Sequence, residues 1–195
     1  MPELTYKRLT PETWTDFEAL FLKHHGVRGG CWCVYYLMRS TDFGKKTTEE
    51  RREYHKQLVL QGKTMGIIVY SQGQPVGWCQ FAPAEILVEY DHNRIYSKLD
   101  IAPEDKPGYR ISCVFTDRDC RRRGVAKYAI QCALSEIARL GGGVVEVFPY
   151  DCDDKTKRRF DFNGSVEYYE ELGFKKIVMI GKSSVLMRKR VMPLE

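Results

Sequence analysis

The sequence predicts an α/β fold that mixes strands and helices along one chain. Apolar runs typical of strands are interspersed with segments in which apolar residues recur at helical spacing. One strand–helix–strand unit is clear, with a strand at Tyr109–Thr116, a helix that ends near Leu140 and a strand at Val144–Phe148. Because such a crossover returns the chain to the sheet and lays the helix on one face, we expect a layered α/β arrangement.

The first elements are a strand and a capped helix. Leu4–Leu9 alternates as a strand, and Thr10-Pro11 supplies an N-cap with proline at the first position of a helix that runs to about His24. The stretch Gly26–Lys46 mixes four glycines with aromatic residues. We therefore predict a loop there, interrupted by a short extended piece at Cys31–Leu37.

A second helix and a hairpin complete the N-terminal half. Thr47–Glu50 has the capping-box spacing, which predicts a helix to about Leu60 with Gly62 as its stop. Met65–Ser71 and Val76–Phe81 are both strand-like and are separated by a turn that contains Gly and Pro. This pattern predicts an antiparallel hairpin.

A long irregular segment follows the hairpin. Pro83–Gly108 is rich in Tyr, Asp and Pro, and connections of this length are usually functional or mobile. We expect it to shape the substrate side together with Gly29–Tyr36. Beyond the crossover unit, we predict a helix at Ser165–Leu172 and final strands at Phe174–Ile180 and Ser184–Val191.

Length and composition favour one globular domain over residues 1–195. The chain has 43% hydrophobic residues, and no apolar run approaches the ~20 residues that cross a bilayer. The first residues lack the charged-then-apolar layout of a secretion signal, so we expect a cytoplasmic protein without a membrane partner. An odd count of seven scattered cysteines is typical of reduced thiols. Cys31-Trp32-Cys33 has no second pair to complete a zinc site, and we predict no metal.

The net charge of +5 permits an acidic ligand. Three basic clusters could mark a nucleic-acid surface: Arg121–Arg123, Lys155–Arg159 and Arg188–Arg190. Such clusters are more often solvated faces, and no RNA-binding aromatic signature or zinc-finger spacing accompanies them. Nucleic acid is therefore an unfavoured partner.

The first of these clusters has a special position. Arg121–Ala126 lies between a predicted strand and a predicted helix and contains Gly124. A turn of this kind directs unpaired N–H groups at one point, where the helix dipole also favours negative charge. We predict that it holds a phosphate or pyrophosphate, with a solvated basic turn as the alternative.

Two segments carry a family resemblance. Read as Arg-x-x-Gly-x-Ala, the turn resembles the acetyl-CoA-binding signature of the GNAT superfamily of N-acetyltransferases, and Asn163–Phe174 resembles that family's last helix with its Tyr-x-x-x-Gly-Phe pattern. The two motifs occur in the family's order and cover about Tyr109–Val178. Ala126 stands where Gly is common, and Phe162–Gly164 replaces the frequent Asn-Pro start of the helix.

The resemblance implies a mixed central sheet flanked by helices, a cofactor core at about residues 109–182, and acetyl-CoA as cosubstrate. It implies direct transfer of the acetyl group to a primary amine, whose identity stays open. The end of the predicted strand Tyr109–Thr116 would pair with the pantetheine arm and polarise the thioester. The turn Arg121–Ala126 would hold the pyrophosphate. The residues assigned to acetyl-CoA in this way are Val114, Phe115, Thr116, Arg121, Arg122, Arg123, Gly124, Val125, Ala126 and Lys127.

The same resemblance assigns the proton donor. Tyr169 matches the family's tyrosine, which protonates the leaving thiolate, and Tyr168 should point away into packing. The base is open among Glu85, Asp117, Glu146 and ordered water, with Glu85 as the named candidate.

Other functions stay open beside acetyl transfer. A Cys/His hydrolase is unfavoured, because the histidines show no signature with any cysteine. A CoA-binding module without catalysis is the main alternative, and a homodimer is compatible with the sequence. A polyamine or aminoglycoside acceptor would require an acidic pocket, and a peptide acceptor would require an open groove.

Overall fold

A computed structural model describes residues 3–151 and 162–194. It mixes helices and strands and contains a strand–helix–strand crossover, as the sequence predicts. In chain order they are β1 (Leu4–Arg8), α1 (Trp14–Leu22), α2 (Ser40–Phe43), α3 (Thr48–Leu60), β2 (Met65–Ser71), β3 (Gln74–Pro83), β4 (Tyr109–Thr116), α4 (Val125–Arg139), β5 (Gly143–Val147), α5 (Val166–Glu171), β6 (Lys175–Met179) and β7 (Val185–Val191).

The strands form one seven-stranded sheet in the order β1-β2-β3-β4-β5-β7-β6. All neighbours pair antiparallel except β4 and β5, which are parallel. These two strands pair only through Tyr109 with Val145 and Arg110 with Glu146. The predicted fold, a mixed central sheet flanked by helices, is confirmed, and the crossover from β4 through α4 to β5 supplies its parallel pair.

The two faces of the sheet bury different side chains, because successive residues of a strand point to opposite faces. On one face, Ile67 and Val69 pack in a cluster with residues of α4, among them Ile130 and Ile137. On the other face, Ile68 packs in a cluster with aromatic residues of α1. The sheet is thus covered on both sides, which holds β4 in the middle of the domain.

The start of α3 was predicted correctly from its capping box. Thr47 Oγ1 accepts from the Glu50 N–H at 3.2 Å and Glu50 Oε2 accepts from the Thr47 N–H at 2.7 Å, so the predicted capping box starts α3. The extended piece predicted at Cys31–Leu37 is wrong. Trp32 and Cys33 have φ angles of +48° and +50°, and Tyr35–Leu37 forms a 3-10 turn, because the chain folds back here to bury Trp32 against α1.

Arg110 organises the long segment that precedes β4. Its side chain is 2% exposed, and it donates to the carboxylate of Asp91 and to the hydroxyl of Tyr96, at 2.5 Å and 2.9 Å. It also donates to the main-chain oxygens of Ala84 and Leu87. The segment 84–108 contains four 3-10 turns, and one buried guanidinium satisfies polar groups from several of them.

No helix in residues 3–151 and 162–194 combines the length and the apolar character that crossing a bilayer requires.

Replacing Arg110 should destabilise the fold. In Arg110→Met the carboxylate of Asp91 and the buried Glu146 each lose a partner, so we expect the free energy of unfolding to fall by about 3 kcal/mol. Urea denaturation measures it. Arg190→Met is the matched control, since the ion pair of Arg190 with Asp105 is solvent-exposed and should contribute little. Equal losses in the two variants would contradict the central position of Arg110.

The stability of the fold should depend on pH through His55. This ring is fully buried beside Phe17, and its Nδ1–H donates to the Trp32 carbonyl oxygen at 2.8 Å. Burial lowers the pKa of His55 to about 4. Between pH 4 and about 6.5 the unfolded chain therefore binds more protons than the folded one, so stability falls as the pH falls through this window.

Through His55, the free energy of unfolding should fall by about 3 kcal/mol between pH 7 and pH 4. Urea denaturation at several pH values should show a shallower pH slope for His55→Gln than for the wild type. His92→Gln, at an exposed position, should keep the wild-type slope. Parallel slopes for the wild type and His55→Gln would refute this role.

Candidate active site

The turn between β4 and α4 has the backbone that an anion site requires. Gly124 is the N-cap of α4 with φ +79°, and an added Cβ would meet no atom within 4 Å. The Tyr128 N–H donates to the Gly124 carbonyl at 3.0 Å as the helix begins. The N–H groups of Val125–Lys127 consequently lie in the first helical turn, where no intrahelical acceptor exists. A ligand can approach this turn without a side chain in the way.

A cavity of about 320 Å³ opens at this turn. It brings together residues from the end of β4, the turn and the start of α4. The predicted residues that line it are Val114, Phe115, Thr116, Arg121, Arg122, Gly124, Val125 and Ala126. Six further residues, which were not assigned to acetyl-CoA from the sequence, also line it: Tyr150, Phe162, Gly164, Ser165, Glu167 and Tyr168.

Two of the predicted basic side chains point elsewhere. Arg123 lines a separate cleft with Lys23 and Asp117. Lys127 forms an ion pair with Glu171 of α5. Arg123 and Lys127 can therefore contribute only main-chain atoms to the anion site. The basic side chains that line this site are those of Arg121 and Arg122.

Beyond Arg110 the strands β4 and β5 separate, and the chain bridges the gap with a later segment. The Val114 N–H donates to the Phe162 carbonyl at 2.5 Å. Asn163 Nδ2 donates to the Phe148 carbonyl, just past the end of β5, at 3.1 Å. Phe162 also stacks on Phe115, with ring centroids 6.4 Å apart. Phe162 and Asn163 therefore occupy the wedge between the two strands, which we call the bridging segment.

The orientation predicted for Tyr168 of α5 is wrong. Tyr168 is 37% exposed and lines the cavity, whereas Tyr169 is fully buried and packs against Phe174. The Tyr169 hydroxyl donates to the Asn163 carbonyl at 2.8 Å. A Cβ added to Gly164, which lines the cavity, would come within 2.9 Å of that hydroxyl. The Tyr169 hydroxyl thus lies directly behind the cavity wall.

The structure does not bring Glu85 to the cavity. It is exposed and follows the end of β3, where Pro83 pairs with Tyr109 at the start of β4. The cavity lies at the other end of β4, roughly 20 Å along the strand from Tyr109. The prediction of Glu85 as base is therefore not supported by its position.

The other two carboxylates already have strong partners. Glu146 is fully buried and accepts from the Tyr96 hydroxyl at 2.7 Å and from Arg188 Nε at 2.8 Å. Asp117 accepts from Lys23 Nζ at 2.7 Å. Although burial raises it, the pKa of Asp117 is lowered overall by hydrogen bonds, foremost the one from Lys23. Both carboxylates stabilise the fold around the site.

The two segments predicted for the substrate side do meet. Tyr35 and Tyr36 from the first segment, with Glu89 and Tyr90 from the second, line a cavity of about 220 Å³. Asn163 of the bridging segment also lines it. This cavity and the one at the turn share Tyr150, so they lie on either side of the wedge.

Possible metal ligands and the basic clusters are the remaining features. Within residues 3–151 and 162–194, no group of three or more His, Cys, Asp or Glu side chains could hold a metal ion. Of the basic clusters, Lys155–Arg159 lies outside the described residues, and Arg188 is engaged with the buried Glu146.

Comparisons with known proteins agree with this geometry. The profile of the acetyltransferase (GNAT) family matches residues 31–174, which include the turn, the wedge and most of the sheet. No significant match is found among curated proteins.

Solved structures share the fold at low sequence identity. An acetyltransferase from Thermus thermophilus has 14% identity and a TM-score of 0.53, covering 97% of this chain and 99% of its own. An N-acetyltransferase from Staphylococcus aureus has 11% identity and a TM-score of 0.53, with 97% and 98% coverage. The yncA protein from Salmonella typhimurium, solved with its cofactor acetyl-CoA, has 11% identity and a TM-score of 0.53, with 96% and 94% coverage.

The family profile matches most of the chain, and this match assigns the protein to a family. The protein belongs to the GNAT family of acetyltransferases.

Proposed function

We propose that the protein is an acetyl-CoA-dependent N-acetyltransferase that transfers the acetyl group directly to a primary amine. The proposal rests on the cavity at the start of α4 in this GNAT domain. Main-chain N–H groups without a helical partner, two arginines and the end of β4 that has separated from β5 all meet there. Acetyl-CoA bound to yncA, a protein of the same fold, supports the choice of ligand.

The turn fits the pyrophosphate of acetyl-CoA. The N–H groups of Val125–Lys127 would donate to phosphate oxygens, and the helix dipole favours the negative charge. The guanidinium groups of Arg121 and Arg122 add paired donors from the cavity wall. Gly124 lets the ligand approach the main chain.

The wedge fits the pantetheine arm and the thioester. The Val114 N–H would donate to the arm or to the thioester carbonyl, which stabilises negative charge on that oxygen during attack. In the structure this N–H is already bonded to Phe162. We therefore propose that the bridging segment is displaced when acetyl-CoA binds, and that part of the binding free energy is spent on this displacement.

Tyr169 is the proposed proton donor to the leaving thiolate. A phenol is protonated at neutral pH, and its hydroxyl lies behind Gly164, next to the segment that would move. Tyr168 is the alternative, because it lines the cavity directly. With Glu85 distant and Glu146 engaged, the amine proton would leave through water.

The cavity of about 220 Å³ is the proposed acceptor side. Tyrosines line it together with polar residues such as His92 and Asn93, and the carboxylate of Glu89 is 3.6 Å from Arg39. Because the carboxylate in this lining already lies close to Arg39, an acceptor with a single amine is favoured over a polyamine or an aminoglycoside. We also propose a cytoplasmic location, since the six described cysteines are all free thiols.

Two measurements together test the function. Calorimetry with acetyl-CoA should show binding, and a thiol-release screen across amine classes should show turnover. Binding without turnover on any amine would favour the alternative, a non-catalytic CoA-binding module. Binding to polynucleotide with a steep salt dependence, in place of acetyl-CoA, would contradict both.

The turn should be sensitive to a bulky anion. Gly124→Glu places a carboxylate at the point of closest approach, so acetyl-CoA affinity should fall tenfold or more, equivalent to at least about 1.4 kcal/mol by calorimetry. Gly141→Glu is the matched control: this glycine also has a positive φ and open surroundings, but it lies at the other end of α4. Unchanged affinity in folded Gly124→Glu would remove the pyrophosphate assignment.

The proton donor can be identified with two conservative variants. Tyr169→Phe keeps the buried ring and removes the hydroxyl, so turnover should drop by roughly 10²-fold while acetyl-CoA still binds. The lost hydrogen bond should also lower the Tm slightly. Tyr168→Phe should keep most of the turnover. A large loss of turnover in Tyr168→Phe with little loss in Tyr169→Phe would instead identify Tyr168 as the proton donor.

A further inference from the structure

Two buried thiols meet beside the wedge. Cys33 Sγ and Cys113 Sγ are 2.8 Å apart, and the two residues are 4% and 8% exposed. Cys33 belongs to the Cys31-Trp32-Cys33 motif, which the proposed acetyl transfer does not use. Cys113 is the residue of β4 directly before Val114. The contact therefore joins the loop before α2 to the strand that carries the proposed thioester site.

Both sulfurs are held in place by packed structure. Cys33 has a left-handed φ of +50°, and the neighbouring Trp32 is buried and bonded through its carbonyl to His55. Cys113 pairs with Gln80 in the middle of the sheet. The separation of 2.8 Å is less than an ångström longer than the ~2.05 Å of a disulfide bond. A small movement of the loop suffices to bond them.

We propose that Cys33 and Cys113 form a reversible disulfide when the protein encounters hydrogen peroxide. One sulfur attacks a peroxide oxygen, the O–O bond breaks, and water leaves to give a sulfenic acid. The second sulfur then attacks the sulfenic sulfur, the S–O bond breaks, and a second water leaves as the S–S bond forms. Two thiols are oxidised by two electrons, and one hydrogen peroxide is reduced to two waters.

A small cavity lies beside the two thiols. Cys31, Cys33 and Cys113 all line a space of about 30 Å³, which accommodates a molecule of the size of water. Burial raises the pKa of Cys33, so little thiolate exists at neutral pH and the oxidation should be slow. Phe162 and Asn163 line the same space. The disulfide would thus fix the loop against β4 next to the bridging segment.

Peptide mapping of the wild-type protein tests the proposal. The reduced protein is incubated with hydrogen peroxide, its remaining thiols are blocked with N-ethylmaleimide in acidic urea, and it is digested with trypsin. We expect a linkage between the peptides Gly29–Arg39 and Ile111–Arg118 that dithiothreitol removes. Fragmentation around Trp32 should place the bond on Cys33. The Tm of the oxidised protein should rise, since the bond closes a loop between residues 80 positions apart.

Matched serine variants locate the bond. Cys31→Ser should keep the linkage, whereas Cys33→Ser should abolish it. Recovery of Cys33 and Cys113 as blocked thiols or as sulfinic acids would overturn the proposal, as would a bond from Cys31 to Cys113. The wild-type map is decisive even if a variant fails to fold. No acetyl transfer enters the readout, so its result is independent of the proposed enzymatic function.

Discussion

The candidate site depends on the point at which β4 and β5 stop pairing. The two strands share only two residue pairs, and at the second of them the buried side chains of Arg110 and Glu146 are in contact. The same guanidinium ties down the long segment before β4. Arg110 therefore fixes the vertex of the wedge, and the strands can diverge beyond it without unravelling the sheet.

Divergence leaves main-chain groups of two central strands without their neighbours, and buried groups of this kind are costly unless they find partners. Phe162 and Asn163 supply those partners from a later part of the chain. A ligand that pairs with Val114 must replace that contact. The affinity for acetyl-CoA should thus depend on a competition for the wedge between the bridging segment and the pantetheine arm.

Local patterns predicted the local parts of the site. The turn Arg121–Ala126 could be recognised because strand, glycine and helix follow each other directly in the sequence. Tyr168 was predicted to point into packing, although Val166 and Tyr169, three residues apart, mark the buried side of α5. The contact of Phe162 with Val114 could not be predicted, since it joins distant segments through main-chain atoms and leaves no side-chain signature. Glu85 lies away from the cavity because it follows the end of β3, and the sequence does not reveal where that end lies relative to the turn.

A crystal structure of the protein with acetyl-CoA tests the central claim most directly. We expect pyrophosphate oxygens within hydrogen-bond distance of the N–H groups of Val125–Lys127. We also expect that the Val114 N–H has exchanged the Phe162 carbonyl for an acceptor on the pantetheine arm or the thioester. Acetyl-CoA bound elsewhere, or bound at the turn with the contact between Val114 and Phe162 intact, would contradict that claim.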